Sequence, residues 1–214
     1  MTLSRTLDRI AAAVRDRALF ARPRALLVAL SGIDGSGKSA LAKSLASAIE
    51  REGLRVATIG IDPWQQPQSV RFGGADCGKH FYRHAIRFEE LFAQLVDPLV
   101  VRRSIHLRTR AIRTDSDIYD PLEYCFDDVD VVLLEGILLL QSRYDARYDL
   151  RAWIECSFET ALRRALQRNV ERLSEHRLRE DYERIYHAAQ RYHIAVDGPQ
   201  RRADYTILNE HELH

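Results

Sequence analysis

Cysteine, lysine and long apolar runs are all scarce in this sequence of 214 residues. The three cysteines, Cys77, Cys125 and Cys156, form no CxxC pair, which argues against a disulfide framework and against a zinc site. No apolar run approaches the roughly 18 residues that a membrane-crossing helix needs, and the first residues lack the charged-then-apolar pattern of a secretion signal. We therefore expect a cytoplasmic protein with no membrane partner.

An excess of charge of one sign is also missing. The 32 basic and 31 acidic side chains give a formal net charge of +1, so no global field favours a polyanion, and no nucleic-acid partner is expected. The length suits one α/β domain over residues 1–214, and the composition leaves a homo-oligomer open. Because lysine occurs only at positions 38, 43 and 79, a lysine inside a motif is informative.

Apolar patterns of strand and helix type alternate along the chain. Continuous apolar runs at 25–30 and 129–134 are typical of parallel strands that are buried on both faces. Other patterns predict strands at 54–61, 152–156 and 203–208, helices at 3–20, 38–50, 88–99, 158–172 and 178–196, a solvated strand or hairpin at 104–113 and a loop at 63–80. This alternation predicts a three-layer α/β/α fold with a mostly parallel sheet.

The segment 32–39 reads Gly-Ile-Asp-Gly-Ser-Gly-Lys-Ser and matches GxxxxGK[ST] between an apolar strand and a helix, which makes the predicted fold that of a P-loop NTPase. Glycines let backbone N–H groups surround phosphate oxygens, and the start of the helix faces the same anion. Lys38 reaches the β- and γ-phosphates, and the Ser39 hydroxyl is a Mg²⁺ ligand. The predicted cofactors are ATP and Mg²⁺. The predicted nucleotide-binding residues of the loop are Gly32, Asp34, Gly35, Ser36, Gly37, Lys38, Ser39 and Ala40.

Two acidic residues follow predicted strands. Asp62 comes at the end of 54–61 and Glu135 at the end of 129–134, and carboxyl ends of parallel strands line the ligand crevice of such a sheet. We expect Asp62 to bind the substrate and accept the proton of its attacking hydroxyl, and Glu135 to lie beside the metal with Ser39. Both acids and Lys38 are therefore candidate catalytic residues. The alternative is that each acid only caps a strand end.

Arginines recur every four residues in the predicted helix at 158–172. Arg164, Arg168 and Arg172 share one helix face, with Arg163 beside them. This spacing favours an arginine-rich lid near 163–177, in which Arg164 binds ATP, Arg168 stabilises charge during transfer and Arg172 contacts the substrate. A solvated helix face explains the same spacing equally well.

Several motifs occur in one order along most of the chain. They are the segment 32–39, Asp62, Tyr119-Asp120, the segment 130–138 (DVVLLEGIL), the arginine-rich stretch 163–172 and Arg202-Ala203-Asp204-Tyr205. Together they resemble the uridine kinase and phosphoribulokinase family of P-loop kinases. The resemblance implies a kinase that uses ATP and Mg²⁺, with Asp62 as the base, Glu135 near the metal, an arginine lid, and an acceptor site formed in part by the hairpin at 104–113, where Arg108 is a candidate substrate contact.

The segment 80–88 departs from this family. Uridine kinases carry a segment like NFDHPDAFD there, and Tyr82 stands where that family has an aspartate for the ribose hydroxyls, so Tyr82 becomes a candidate substrate contact. A nucleoside is the leading acceptor, and a sugar phosphate, pantothenate or a polyol is the alternative. Arg83, Arg87 and Arg108 would favour an anionic acceptor if they line the pocket. A nucleotide switch that hydrolyses ATP slowly is the competing class.

Overall fold

The computed structural model describes residues 3–21, 23–113, 116–168 and 173–210. Within this part of the chain, seven strands form two sheets. They are β1 (Leu26–Gly32), β2 (Val56–Gly60), β3 (Ile105–Ile112), β4 (Tyr119–Phe126), β5 (Val131–Gly136), β6 (Leu150–Glu155) and β7 (Tyr205–Leu208). The predicted Arg172 contact falls outside the described residues.

The main sheet is parallel throughout and runs in the order β2-β5-β1-β6-β7. The central strand β1 is buried at all seven positions, which is why its sequence is a nearly continuous apolar run. Strand β5 pairs with β1 and β2, so Glu135 sits opposite Leu30 on one side and Gly60 on the other. The carboxyl ends of these three strands therefore form one edge of the sheet.

Helices cover both faces of the main sheet. They are α1 (Leu3–Ala21), α2 (Lys38–Arg51), α3 (Gln68–Arg71), α4 (Cys77–His84), α5 (Phe88–Leu91), α6 (Asp97–Arg102), α7 (Phe158–Arg168), α8 (Glu175–Asp181), α9 (His187–Asp197) and α10 (Pro199–Arg202). A π-helical segment, Phe92–Val96, joins α5 to α6, and another, Tyr182–Tyr186, joins α8 to α9. Within the described residues, no helix combines the length and the hydropathy that a membrane crossing requires.

Two apolar layers enclose the sheet. On one face, α1 and α2 contribute Ile10, Val14 and Leu45 to a core that includes Leu30. On the other face, a second core contains Trp64 and residues of the helices between β2 and β3. The three-layer α/β/α fold predicted from the alternating patterns is thus confirmed.

The predicted loop at 63–80 is wrong in part, because it contains a 3-10 turn (Asp62–Trp64), α3 and the start of α4. The Asp76 side chain accepts a hydrogen bond of 2.9 Å from the Lys79 backbone N–H and so caps α4. Gly78 lets α4 approach α9, since a Cβ there would lie 2.6 Å from the Cβ of Ala188. Gly78 therefore serves a close contact between two helices.

The segment 104–113, for which a solvated strand or hairpin was predicted, contains the single strand β3, and the partner strand β4 was not predicted. Strands β3 and β4 pair antiparallel, from Ile105 opposite Phe126 to Ile112 opposite Tyr119. The side chains of β3 alternate between partly buried and exposed up to Ile112, which is buried, as expected for a strand with one solvated face.

Candidate active site

A cleft of about 1140 Å³ lies at the carboxyl edge of the main sheet. Residues of the P-loop form one wall, and Asp62 and Glu135 line the cleft beside them. Arg168 reaches the same cleft from α7. The structure thus brings together the P-loop, both predicted acids and one of the predicted lid arginines.

The P-loop has the geometry of an anion cradle. Gly35 and Gly37 have φ values of 79° and 87°, which favour glycine because a Cβ is strained there. Gly37 precedes the first residue of α2 and provides no side-chain cap, so the first backbone N–H groups of the helix are available to a ligand. Lys38 is 8% exposed, and its Nζ donates a hydrogen bond of 2.9 Å to the Ile33 carbonyl. These features fit the phosphates of a nucleotide.

Ser39 and Glu135 meet at the floor of the cleft. Ser39 Oγ donates a hydrogen bond of 3.0 Å to Glu135 Oε1. Burial raises the pKa of Glu135 above its ordinary value, against the opposing effects of Lys38 and of the Ser39 hydrogen bond. A hydroxyl and a carboxyl oxygen beside a phosphate cradle form a donor set that suits Mg²⁺, which prefers oxygen ligands and keeps several waters.

The described residues contain no group of three or more His, Cys, Asp and Glu side chains that could hold a metal ion. A Mg²⁺ ion in this cleft would therefore depend on Ser39, Glu135 and the phosphates of the nucleotide, which is the usual manner of Mg²⁺ binding at phosphate-transfer sites.

Asp62 follows β2 and opens the 3-10 turn Asp62–Trp64. Its side chain is exposed and lines the cleft, and its Oδ1 accepts a hydrogen bond of 3.3 Å from Gln65 Nε2. The Asp62 side chain is therefore accessible to a molecule in the cleft, while its backbone belongs to a regular turn. A carboxylate in such a place can accept a proton from a hydroxyl group in the cleft.

Asp34 connects the P-loop to the helices that cover it. Its carboxylate accepts a hydrogen bond from the Tyr182 hydroxyl and forms an ion pair of 3.5 Å with Arg168. Burial opposes the ionisation of Asp34, but Lys38, Arg168 and the Tyr182 hydroxyl together hold its pKa below the ordinary value. The sequence offered no signal for Tyr182, which lies 148 positions from Asp34.

The predicted lid arginines have different surroundings. Arg168 lines the cleft, whereas Arg163 lines a separate surface depression of about 490 Å³. Arg164 Nη1 donates to the Asn209 carbonyl at 3.1 Å and lies 3.5 Å from the Gly35 carbonyl. Arg164 thus contacts the outside of the P-loop and is not among the residues that line the cleft.

Two residues that were predicted as substrate contacts, Tyr82 and Arg108, have partners elsewhere in the structure. The Tyr82 hydroxyl donates a hydrogen bond of 2.7 Å to Asp197 Oδ2, and burial raises its pKa. Tyr82 faces α9 because Gly78 sets the approach of α4 to that helix. Arg108 is 82% exposed on the hairpin and pairs with Glu123 at 3.3 Å. Neither Tyr82 nor Arg108 lines the cleft.

The three arginines that would have favoured an anionic acceptor, Arg83, Arg87 and Arg108, are also not among the residues that line the cleft. Phe72, an aromatic residue of the predicted loop that could stack on a flat substrate, lines the cleft. Other lining residues were not predicted as site residues, and they include Gln65, Gln68, Arg71, Arg113 and Asp120. Arg113 holds Asp120 through two hydrogen bonds of 2.6 and 2.7 Å.

Two sequence comparisons match parts of the chain. The family model of the methylmalonyl Co-A mutase-associated GTPase MeaB matches residues 5–109. A thymidylate kinase from Xanthomonas campestris pv. campestris (strain B100) is 56% identical over 45 residues, which make up 21% of this chain and 19% of that kinase. The matched segment thus spans about a fifth of the length of this curated relative.

Solved structures match most of the chain. A provisionally assigned uridine kinase from Bacillus stearothermophilus has a TM-score of 0.74 at 20% identity, over 97% of this chain and 100% of that chain. A kinase provisionally assigned to a fructose transport system, from Silicibacter sp. TM1040, has a TM-score of 0.70 at 22% identity, over 96% and 98%. The D-glycerate 3-kinase from Cryptococcus neoformans var. grubii has a TM-score of 0.64 at 13% identity, over 89% and 88%.

This chain therefore has a P-loop kinase-like fold. The resemblance to uridine kinase-like P-loop kinases, which the order of the motifs indicated, is confirmed at the level of the fold.

Proposed function

We propose that this protein transfers the γ-phosphate of ATP to a hydroxyl group of a small molecule. The observation that carries the proposal is the position of Asp62, which lines the same cleft as Lys38 and the Ser39–Glu135 pair. A nucleotide-binding loop alone suits any P-loop protein, but a carboxylate facing the phosphate site gives an incoming hydroxyl its base.

Each residue has a definite role in this reaction. Lys38 and the N–H groups of the P-loop hold the phosphates, and Ser39 and Glu135 hold Mg²⁺, which neutralises phosphate charge when bound. Asp62 accepts the proton as the acceptor oxygen bonds to the γ-phosphorus and the bond to the β-phosphate oxygen breaks, which releases ADP. Arg168, now paired with Asp34, stabilises negative charge on the transferred group.

A nucleoside is the leading acceptor in this proposal. Gln68 and Arg113 line the cleft together with Asp62 and offer hydrogen-bond donors to hydroxyl and carbonyl groups. Phe72 lines the same cleft and offers an aromatic face to a base. A sugar phosphate, pantothenate or another polyol is the alternative acceptor, since the same groups bind any molecule rich in oxygen.

A nucleotide-dependent switch is the second candidate function. The match of residues 5–109 to a GTPase family model favours it, and that range contains the P-loop and Asp62. A switch hydrolyses its nucleotide without an acceptor, whereas a kinase turns over faster when its acceptor is present. Turnover with and without acceptors therefore separates the two functions.

The test is ADP release from ATP and Mg²⁺ in the presence of a panel of nucleosides, sugar phosphates, polyols and pantothenate. One acceptor class should stimulate turnover strongly, and Asp62→Asn should lower that turnover about 100-fold or more while ATP still binds. Asp16→Asn is the matched control, because Asp16 is exposed on α1 and should behave as the parent. No stimulation by any acceptor, with Asp62→Asn equal to the parent, would reject the kinase and favour the switch.

A further inference from the structure

Gln65 is a polar residue of the cleft for which the proposed reaction has no assigned role. It lies three positions after Asp62, and its amide contacts the Asp62 carboxylate on one side and the Arg71 guanidinium on the other. We propose that Gln65 is a positioning residue that orients the carboxylate of Asp62 toward the acceptor hydroxyl. This inference rests on the proposed function, in which Asp62 is the base.

The backbone of Gln65 is held in place by Arg87, whose side chain is 1% exposed. This guanidinium donates to the carbonyls of Pro63 and Gln65 at 3.2 and 3.3 Å, and to the Arg110 carbonyl of the hairpin at 3.0 Å. Gln65 also forms an isolated β-bridge with Ile86. The segment that carries the base is therefore anchored to Ile86 and to a buried cation, which also contacts the hairpin.

The direction of the Gln65 amide follows from its contact with Arg71. Arg71 is 4% exposed, and its Nη1 donates to Gln65 Oε1. Because a guanidinium can only donate, it must face the oxygen of the amide, and the NH₂ group must point the other way. That NH₂ group lies 3.3 Å from Asp62 Oδ1. Arg71 therefore selects the amide orientation that donates to Asp62.

The hydrogen bond restricts an otherwise exposed side chain. With Oδ1 of Asp62 bound to Gln65, Oδ2 is presented at a fixed angle to the space where the acceptor would lie. A general base works only within hydrogen-bond reach of the proton that it accepts, and small displacements at such a site reduce the rate. Loss of Gln65 should therefore slow the transfer step without weakening the binding of the acceptor.

The experiment measures acceptor-dependent turnover of Gln65→Leu and Gln65→Glu. Both variants lose the donor to Asp62, and Gln65→Glu keeps the length of the side chain and an acceptor for Arg71. We expect kcat to fall about tenfold in each, as for the loss of one hydrogen bond to a charged group, with the acceptor KM within about twofold of the parent. Gln66→Leu is the matched control, because Gln66 does not line the cleft, and it should keep the parent kcat.

A second background shows whether Gln65 acts through Asp62. In Asp62→Asn protein, Gln65→Leu should have no further effect on kcat, since the base that it orients is already removed. Two readouts do not depend on turnover. Calorimetry without nucleotide should give the parent affinity for the acceptor, and a crystal structure of Gln65→Leu should show Asp62 in more than one rotamer.

Each contrary result has a distinct meaning. Parent kcat in both Gln65 variants would overturn the inference, as would an equal loss in the Asp62→Asn background. A raised KM and weaker calorimetric binding, with kcat unchanged, would show that Gln65 contacts the acceptor and does not orient the base. Absence of acceptor-dependent turnover in the parent would reject the proposed function, and this inference with it, before any Gln65 variant is measured.

Discussion

The Ser39 hydroxyl and the Glu135 carboxylate, 96 positions apart in the chain, lie 3.0 Å from each other at the edge of the sheet. They meet because β1 and β5 are adjacent and parallel, so the loop after one strand lies beside the end of the other. Lys38 acts on the same carboxyl group electrostatically. The two oxygens thus mark the place where a cation would bridge the protein and a phosphate.

Glu135→Gln should raise the Mg²⁺ concentration needed for half-maximal turnover about tenfold or more, since metal sites typically lose this much when a contributing group is changed. The amide keeps the size of the side chain but lacks the negative charge that attracts the ion. The measurement is a Mg²⁺ titration of ADP release at fixed ATP. Glu123→Gln, an exposed change on the hairpin, is the control. An unchanged Mg²⁺ requirement in Glu135→Gln would remove Glu135 from the metal site.

Gly35→Ala should damage the P-loop far more than Gly53→Ala. Both glycines have positive φ, 79° and 84°, so both changes carry the strain of a Cβ in that region, about 1 kcal/mol. A Cβ at Gly35 would also lie 2.3 Å from the Ala161 carbonyl oxygen, whereas a Cβ at Gly53 has nothing within 4 Å. We expect only Gly35→Ala to weaken nucleotide binding, as measured by calorimetry.

The two variants should also differ in their free energy of unfolding. Urea unfolding should show a loss of about 1 kcal/mol for Gly53→Ala and a larger loss for Gly35→Ala, because the contacted atom belongs to the backbone and cannot rotate away. Equal losses in the two variants would mean that α7 moves away from the P-loop at little cost.

Tyr182→Phe should lower the free energy of unfolding by about 2 kcal/mol, the usual value of a hydrogen bond to a charged group. Tyr182 is 1% exposed, and phenylalanine keeps its ring contacts with Tyr186 and His187. The control is Tyr192→Phe on α9, for which we expect a change below about 0.5 kcal/mol. Urea unfolding at pH 7 measures both. Equal effects would show that the contact with Asp34 contributes nothing to stability.

Local sequence patterns were sufficient to predict the main sheet and the residues on one side of the cleft. The P-loop motif is contiguous, and Asp62 and Glu135 could be placed because the carboxyl ends of parallel strands always share one edge. Strand β3 was equally visible, since a strand with one solvated face alternates strictly, but its partner β4 was not predicted. In each case the information lies within a few neighbouring residues.

The other side of the cleft depends on contacts that no local pattern contains. Tyr182 meets Asp34 only because α8–α9 folds back over the P-loop. The position of Tyr82 in the family segment says nothing about the direction in which α4 faces, and the packing of Gly78 against Ala188 turns Tyr82 toward Asp197. Gln65 belongs to no motif, and the orientation of its amide depends on the hydrogen bond from Arg71.

The stability of the protein should fall between pH 6.5 and pH 4 through His187. This residue is 3% exposed, with its ring 4.7 Å from Phe158 and 5.3 Å from Tyr182. Burial lowers the pKa of His187 to about 4, and Arg191 adds to this while Asp34 opposes it. The fold therefore favours the neutral ring, whereas the unfolded chain takes up a proton near pH 6.5.

The sign and size of the effect follow from this difference. Above pH 6.5 the ring is neutral in both states, and the contribution to stability is complete. As the pH falls toward 4, only the unfolded state binds the proton, so the free energy of unfolding drops by about 3 kcal/mol. Because His187→Gln removes the titrating group, it should flatten this part of the pH curve in urea unfolding, and the exposed His176→Gln on α8 is the control. Parallel curves for the parent and His187→Gln would mean that other groups cause the acid sensitivity, and that the His187 ring is hydrated in the folded protein.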